Sequence, residues 1–137
     1  MFRAVRAPNS DGVHLSRRAR GLPLWFSLAV HGTNRYVAAI EQTLATTRAV
    51  ADGIRSIPQL RVLAEPTLSV VLFERPGWDE ARYRHWSRRL ALDGQILCIP
   101  TLWKGRTVLR LAFVNPATEA DHVLEVLAET TLDDHPL

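Results

Sequence analysis

Lysine is almost absent from this chain. Of its 17 lysine and arginine residues only Lys104 is a lysine, and the rest are arginines. Lys104 is therefore the only side chain that could form a Schiff base with a substrate or a cofactor. It lies between Trp103 and Gly105, at the tip of a predicted hairpin, whereas a Schiff-base lysine must be held in place and partly desolvated. The sequence predicts a turn residue here and no covalent cofactor site.

Cysteine and long apolar runs are also scarce. Cys98 is the single cysteine, which excludes a disulfide within the chain and a Cys-based zinc site, and we expect a reducing cytoplasm. Its neighbours in 96–99 are apolar, which favours a buried small hydrophobe over a nucleophile. The longest apolar stretch, Leu22 to Val30, covers about nine residues, far fewer than the ~20 that span a bilayer. The five histidines show no ligand spacing, so no metal site is predicted.

The arginines raise the isoelectric point without concentrating charge. The net charge is only +3 over 137 residues, and 47% of the residues are hydrophobic, as in an ordinary globular domain. Arginines cluster only on the predicted helix around Arg82–Arg89. That helix could contact nucleic acid, but no second basic element accompanies it, so a solvated helix face is the preferred interpretation.

Apolar periodicity and turn residues predict eight elements. Helices are expected over 16–30, 34–56, 79–93 and from Thr118, and strands over 60–64, 68–73, 95–99 and 106–114. Strands that come in pairs joined by short turns favour antiparallel pairing. The predicted fold class is α+β, a small antiparallel sheet covered on one face by helices.

Arg110 is the sharpest candidate functional residue. In the alternating strand, Val108, Arg110 and Ala112 share one face, while Leu109, Leu111 and Phe113 share the other. A charge in mid-strand requires solvent or a partner, and a guanidinium suits a carboxylate. From the residues alone, two interpretations stay open: an arginine on the solvent face of a sheet edge, or a ligand-binding arginine.

Four short segments in this order resemble one enzyme family. They are Ser16-Arg17-Arg18, Leu22 to Trp25, His31-Gly32, and Leu109 to Thr118. The chain resembles the C-terminal small domain of group II pyridoxal-phosphate-dependent amino-acid decarboxylases, which act on glutamate, diaminobutyrate and aromatic amino acids. The turn Asn115-Pro116 is more similar to the glutamate and diaminobutyrate branch.

The resemblance implies a fold, a cofactor, a site and a partner. It implies the small-domain fold of fold-type I enzymes over 16–132, with 1–15 as a flexible lead-in and 133–137 as a tail. Arg110 would contact the substrate carboxylate, and Arg17 and Arg18 would have no catalytic role. Pyridoxal phosphate would be the parent family's cofactor, held by a large domain that pairs with this one, and the enzyme would be dimeric.

We therefore expect a decarboxylase fragment that is inactive alone, without a catalytic residue of its own. A truncated gene, a mis-called start or a decayed paralogue would each produce it. Two other hypotheses stay open. One is a stand-alone α+β module that binds a partner chain through an apolar surface. The other is a weak nucleic-acid binder that uses the Arg82–Arg89 helix.

Overall fold

The computed structural model describes residues 21–132, so Ser16, Arg17, Arg18, the predicted lead-in and the predicted tail lie outside the described residues. The elements follow the predicted order. They are α1 (Gly21–His31), α2 (Thr33–Arg55), β1 (Arg61–Val62), β2 (Val70–Glu74), α3 (Glu80–Leu92), β3 (Ile99–Trp103), β4 (Arg106–Ala112) and α4 (Ala120–Leu132). The chain divides into two compact units, Met1–Tyr36 and Val37–Leu137.

Helix α1 belongs to the first unit and is a short apolar helix. The helix continues past Pro23 to His31. The helix ends where predicted. Gly32 takes a φ of +73° and donates its N–H to the Leu28 carbonyl at 2.9 Å, and His31 stands in the last turn.

The second unit is built on an antiparallel sheet with strand order β1-β2-β4-β3. Helices α2, α3 and α4 contribute to a single hydrophobic core with one face of this sheet. The sheet residues of that core include Val71, Phe73, Leu109, Leu111 and Phe113. The predicted α+β class and the helical cover on one face are confirmed.

The spacing of Val37, Ile40, Leu44, Thr47, Ala51 and Ile54 puts them on one stripe of α2 and predicts an inward face, which is correct for the second half of the helix only. Thr47, Ala51 and Ile54 are buried. Val37 and Ile40 follow the same periodicity but are more than half exposed. Periodicity shows which residues share a helix face, but not how far along the helix a partner extends.

The third strand was predicted at the wrong place. It runs over Ile99–Trp103 and not over residues 95–99. Lys104 and Gly105 both have positive φ, 48° and 76°, and form a two-residue turn. Because such a turn joins strands that are paired right up to it, Trp103 pairs directly with Arg106 and β3 extends to Trp103. Strand β3 contains Pro100, which cannot donate a hydrogen bond to a neighbouring strand. A proline is tolerated here because β3 is an edge strand.

Helix α3 is placed as predicted. The Asp79 side chain accepts a hydrogen bond from the Arg82 N–H at 2.8 Å and caps the helix N-terminus. The helical spacing of Tyr83, Trp86 and Leu90 predicts that they face inward, and all three are buried. The Tyr83 hydroxyl exchanges hydrogen bonds with the backbone of Arg75, so the start of α3 is tied to the end of β2.

Candidate functional site

The candidate site lies on the face of the sheet opposite the helices, which we call the outer sheet face. The pairing register defines its members, because side chains alternate between the two faces of a strand. It consists of Val70, Leu72 and Glu74 of β2, Arg106, Val108, Arg110 and Ala112 of β4, Ile99, Thr101 and Trp103 of β3, and Arg61 of β1. A face formed by four strands provides a flat wall on which a ligand or another domain can pack.

Arg110 stands near the middle of the outer sheet face. Its neighbours Leu109 and Leu111 belong to the hydrophobic core, as the predicted alternation of β4 requires. Val108, on the outer sheet face, is fully buried but is not part of that core. In register, Arg110 lies between Leu72 of β2 and Ile99 of β3. The Arg110 side chain is partly buried, and none of the ion pairs formed within residues 21–132 includes it. Its guanidinium is therefore available for an external anion.

A second charged group on this face is already neutralised. The Glu74 side chain is 8% exposed and forms ion pairs with Arg61 and with Arg106, the latter at 3.2 Å between Nη2 and Oε2. Buried carboxylates require such partners. These two arginines are thus paired with a carboxylate of the protein itself, whereas Arg110 is in none of the ion pairs formed within residues 21–132.

Lys104 is placed as the sequence predicted, at an exposed hairpin tip. Its Nζ atom lies 4.4 Å from the centroid of the Trp103 ring, a cation–π contact at an exposed turn. A Schiff-base lysine must instead be held in place and partly desolvated. The environment of Lys104 therefore does not fit a site for pyridoxal phosphate.

We expect no specific covalent labelling of Lys104 by pyridoxal phosphate. The amine is exposed at a turn, with no enclosed site to hold the cofactor, so any reaction should be slow and should not saturate. Borohydride reduction with the cofactor, followed by peptide mapping, measures this. The control is Trp103→Leu, which removes the cation–π contact. Stoichiometric labelling that saturates at low cofactor concentration would overturn the assignment.

Cys98 is a core residue, as the sequence predicted. It is fully buried just before β3, and burial raises the pKa of its thiol far above the ordinary value. A thiol that stays protonated is a poor nucleophile. Its backbone carbonyl accepts a hydrogen bond from the Ser87 hydroxyl, which joins α3 to the segment before β3.

The arginine-rich helix is partly neutralised. Arg84 of α3 forms an ion pair with Glu80 at 2.6 Å, one turn earlier, and Arg89 also has an interaction partner. This pairing is typical of a solvated helix face. Nucleic-acid binding by α3 stays the less favoured interpretation of this helix.

Over residues 21–132, no cluster of three or more His, Cys, Asp or Glu side chains could hold a metal ion. Within the same range, no helix is both long enough and apolar enough to cross a membrane.

Sequence analysis missed the two residues that flank Arg110. Ile99 was assigned to the end of a strand over 95–99, so its pairing with Arg110 could not be predicted. Leu72 was placed in the correct strand, but pairing between distant strands has no local sequence signal. The two-residue turn at Lys104-Gly105 could have corrected the first error, because it sets the register of the hairpin.

The known proteins that the chain matches include amino-acid decarboxylases. No protein-family model matches the chain. Among curated proteins, it is 28% identical over 109 residues to aromatic-L-amino-acid decarboxylase of Sus scrofa, covering 80% of this chain and 22% of that protein. It is 28% identical over 134 residues to L-2,4-diaminobutyrate decarboxylase of Rhizobium meliloti, covering 90% and 27%. The chain thus spans about a quarter of the length of these relatives.

Solved structures show the same fold. The chain matches Oryza sativa TDC, solved with PLP and tryptamine, with a TM-score of 0.72 and 25% identity over 85% of this chain and 26% of that one. It matches the glutamate decarboxylase domain of a Vibrio parahaemolyticus diaminobutyrate-pyruvate transaminase and L-2,4-diaminobutyrate decarboxylase with a TM-score of 0.73, again at 25% identity over 85% and 26%. In sequence and in fold, the chain is therefore similar to the small domain of the group II pyridoxal-phosphate-dependent amino-acid decarboxylases.

Proposed function

We propose that this chain forms the small-domain wall of the active site of an amino-acid decarboxylase and that Arg110 binds the carboxylate of the substrate. The observation that carries the proposal is a partly buried arginine without an ion-pair partner among residues 21–132, whose direct cross-strand neighbours, Leu72 and Ile99, are apolar. The resemblance to the decarboxylase family supports a carboxylate as its ligand.

The local chemistry supports this role. A guanidinium presents a rigid fork of N–H donors that matches a carboxylate with two parallel hydrogen bonds. Leu72 and Ile99 beside it offer no competing acceptor, and apolar surroundings strengthen a charge-assisted contact. Arg110 would hold and orient the substrate through these N–H donors.

The cofactor would be held elsewhere. Since Lys104 does not fit covalent attachment, the pyridoxal phosphate used by the parent family would be bound by a large domain, in the same or another polypeptide. On this proposal, the chain is inactive alone and works as part of a dimeric enzyme. A cytoplasmic location is proposed because Cys98 is unpaired and buried.

Complementation tests the proposal. A related group II decarboxylase is expressed without its small domain, and this chain is supplied as a fusion or a separate polypeptide. We expect decarboxylation only when both parts are present, because the site is then complete. The matched control supplies a chain with Phe73→Ala, which should be strongly destabilised and should restore less activity. No activity in any pairing, despite a stable complex, would contradict the proposal.

Helix α1 favours a second candidate, a protein-interaction module. Five of its large apolar side chains are about half exposed or more: Leu22 49%, Leu24 57%, Trp25 60%, Phe26 54% and Val30 72%. No residue of α1 is buried, although the helix is mainly apolar. An exposed apolar helix of this kind marks an interaction surface.

We expect the isolated chain to self-associate through α1. Association would remove its exposed aromatic and aliphatic surface from water, which is favourable in proportion to the area buried. Sedimentation velocity over a range of concentrations measures the effect. The double variant Trp25→Ser, Phe26→Ser should shift the chain toward monomer, whereas the control Arg88→Ser should not. A compact monomer that binds no hydrophobic dye would contradict the expectation.

A further inference from the structure

A cavity of about 420 Å³ opens at the end of β2, beside the turn that leads into α3. Its lining comes from β1, β2, β4, the turn over 75–79 and the start of α3. Three of the lining residues are arginines, Arg61, Arg75 and Arg106, and Arg110 is not one of the described residues that line it. We call this space the arginine cavity.

Two guanidinium groups share one carboxylate in the arginine cavity. The Oε1 atom of the buried Glu74 side chain accepts a hydrogen bond from the Nε–H of Arg61 at 2.8 Å, and its Oε2 atom lies 3.2 Å from the Nη2 atom of Arg106. The Arg61 and Arg106 side chains are 62% and 59% exposed. A guanidinium has five N–H donors, so each arginine keeps donors that Glu74 does not use. One positive charge of this group of three is not compensated.

The other two carboxylates of the lining are engaged by α3. The Asp79 side chain accepts a hydrogen bond from a backbone N–H of the first helical turn at 2.8 Å, and Glu80 accepts one from the Nε–H of Arg84 at 2.8 Å. Arg75 adds a third guanidinium to the lining, with its Cζ atom 4.8 Å from the centroid of the Trp78 ring. With Arg84 included, four arginines stand against three carboxylates, so the cavity carries an excess positive charge.

We infer that the arginine cavity binds a phosphate group, which Arg61 and Arg106 hold together. A phosphate carries up to two negative charges and at least three acceptor oxygens, so it can accept hydrogen bonds from both guanidiniums at once. A single carboxylate fills only one guanidinium fork and carries half the charge. Inorganic phosphate and a phosphate monoester share this chemistry. Because Arg110 does not line the cavity, the site is independent of the proposed function.

Titration of the full chain with simple anions tests the inference. The probes are inorganic phosphate, phenyl phosphate and acetate, at a pH where phosphate is mainly the dianion and at constant ionic strength, so that non-specific attraction is screened equally. The Nε–H resonances of Arg61 and Arg106 are followed by NMR. We expect both phosphates to saturate in the millimolar range and acetate to bind roughly tenfold more weakly or worse. Tighter binding of phenyl phosphate than of inorganic phosphate would identify a phosphate ester as the ligand, and the reverse order would identify free phosphate.

Two variants at the cavity should have opposite effects. Arg61→Gln removes the excess charge but leaves Glu74 paired with Arg106, so the chain should stay folded and bind phosphate roughly tenfold more weakly or worse. Glu74→Gln removes the carboxylate that competes with the ligand, and we expect roughly threefold tighter binding or better. Urea unfolding of each variant checks that it is folded.

The controls are Arg110→Met and Arg88→Gln, an exposed arginine of α3, and both should leave phosphate binding unchanged. The inference is overturned if phosphate does not saturate, if acetate binds equally well, or if Arg110→Met abolishes the binding. If Arg61→Gln fails to fold, Glu74→Gln decides alone. Unchanged or weaker phosphate binding by a folded Glu74→Gln chain would show that the two arginines only neutralise Glu74.

Discussion

Replacing Arg110 with methionine lowers kcat/KM of the reconstituted decarboxylase by roughly 30- to 1,000-fold, the effect of about 2–4 kcal/mol for a lost charge-assisted contact. Methionine keeps an unbranched apolar stem and removes the fork that binds the carboxylate. The same change in the isolated chain should alter the free energy of unfolding by no more than roughly 0.5 kcal/mol, since no described carboxylate loses its partner. Steady-state kinetics and urea unfolding provide the two measurements.

Two further variants give this experiment its controls. Arg110→Lys keeps the charge without the planar fork, and partial recovery of kcat/KM would indicate carboxylate binding. Arg88→Met removes an exposed arginine from α3 and should leave both measurements unchanged. An isolated chain strongly destabilised by Arg110→Met, with unchanged kinetics of the reconstituted enzyme, would identify Arg110 as a structural residue.

Replacing Phe73 with alanine destabilises the chain by about 3–5 kcal/mol. Phe73 is fully buried in β2, paired with Val62 on one side and Leu109 on the other. Removing its ring loses the transfer free energy of the side chain and leaves a cavity among α2, α3 and the sheet. Since domains of this size are stable by only ~5–15 kcal/mol, much of the total would be lost.

Val70→Ala is the matched control for the Phe73 variant. Val70 is in the same strand but on the outer sheet face and is 36% exposed. We expect its substitution to cost less than about 1 kcal/mol, because little surface is removed from contact. Urea midpoints with unchanged slopes provide the comparison. Equal losses for both variants would show that the outer sheet face is as tightly packed as the core face.

Local sequence signals were sufficient for the element types and for the alternation of β4. Periods of 3.6 and 2 separate helices from strands, and turn residues such as Gly32 and Asn115-Pro116 place the ends. The same alternation put Arg110 on one face and Leu109 and Leu111 on the other. These properties depend on residues close together in the chain, so they can be predicted without knowing the fold.

Strand pairing and burial depend on residues far apart in the chain, and only the tertiary structure decided them. The register places Leu72 and Ile99 on either side of Arg110, although 27 residues separate them in sequence. Only the structure showed that Arg61 and Arg106 form ion pairs with Glu74 and that the second half of α2 is the buried half. A short apolar strand can pair in several registers with similar local free energy, and packing of the whole core selects one of them. The sequence by itself thus determined that an arginine stands in an apolar strand, and the fold determined the apolar residues that lie on either side of it.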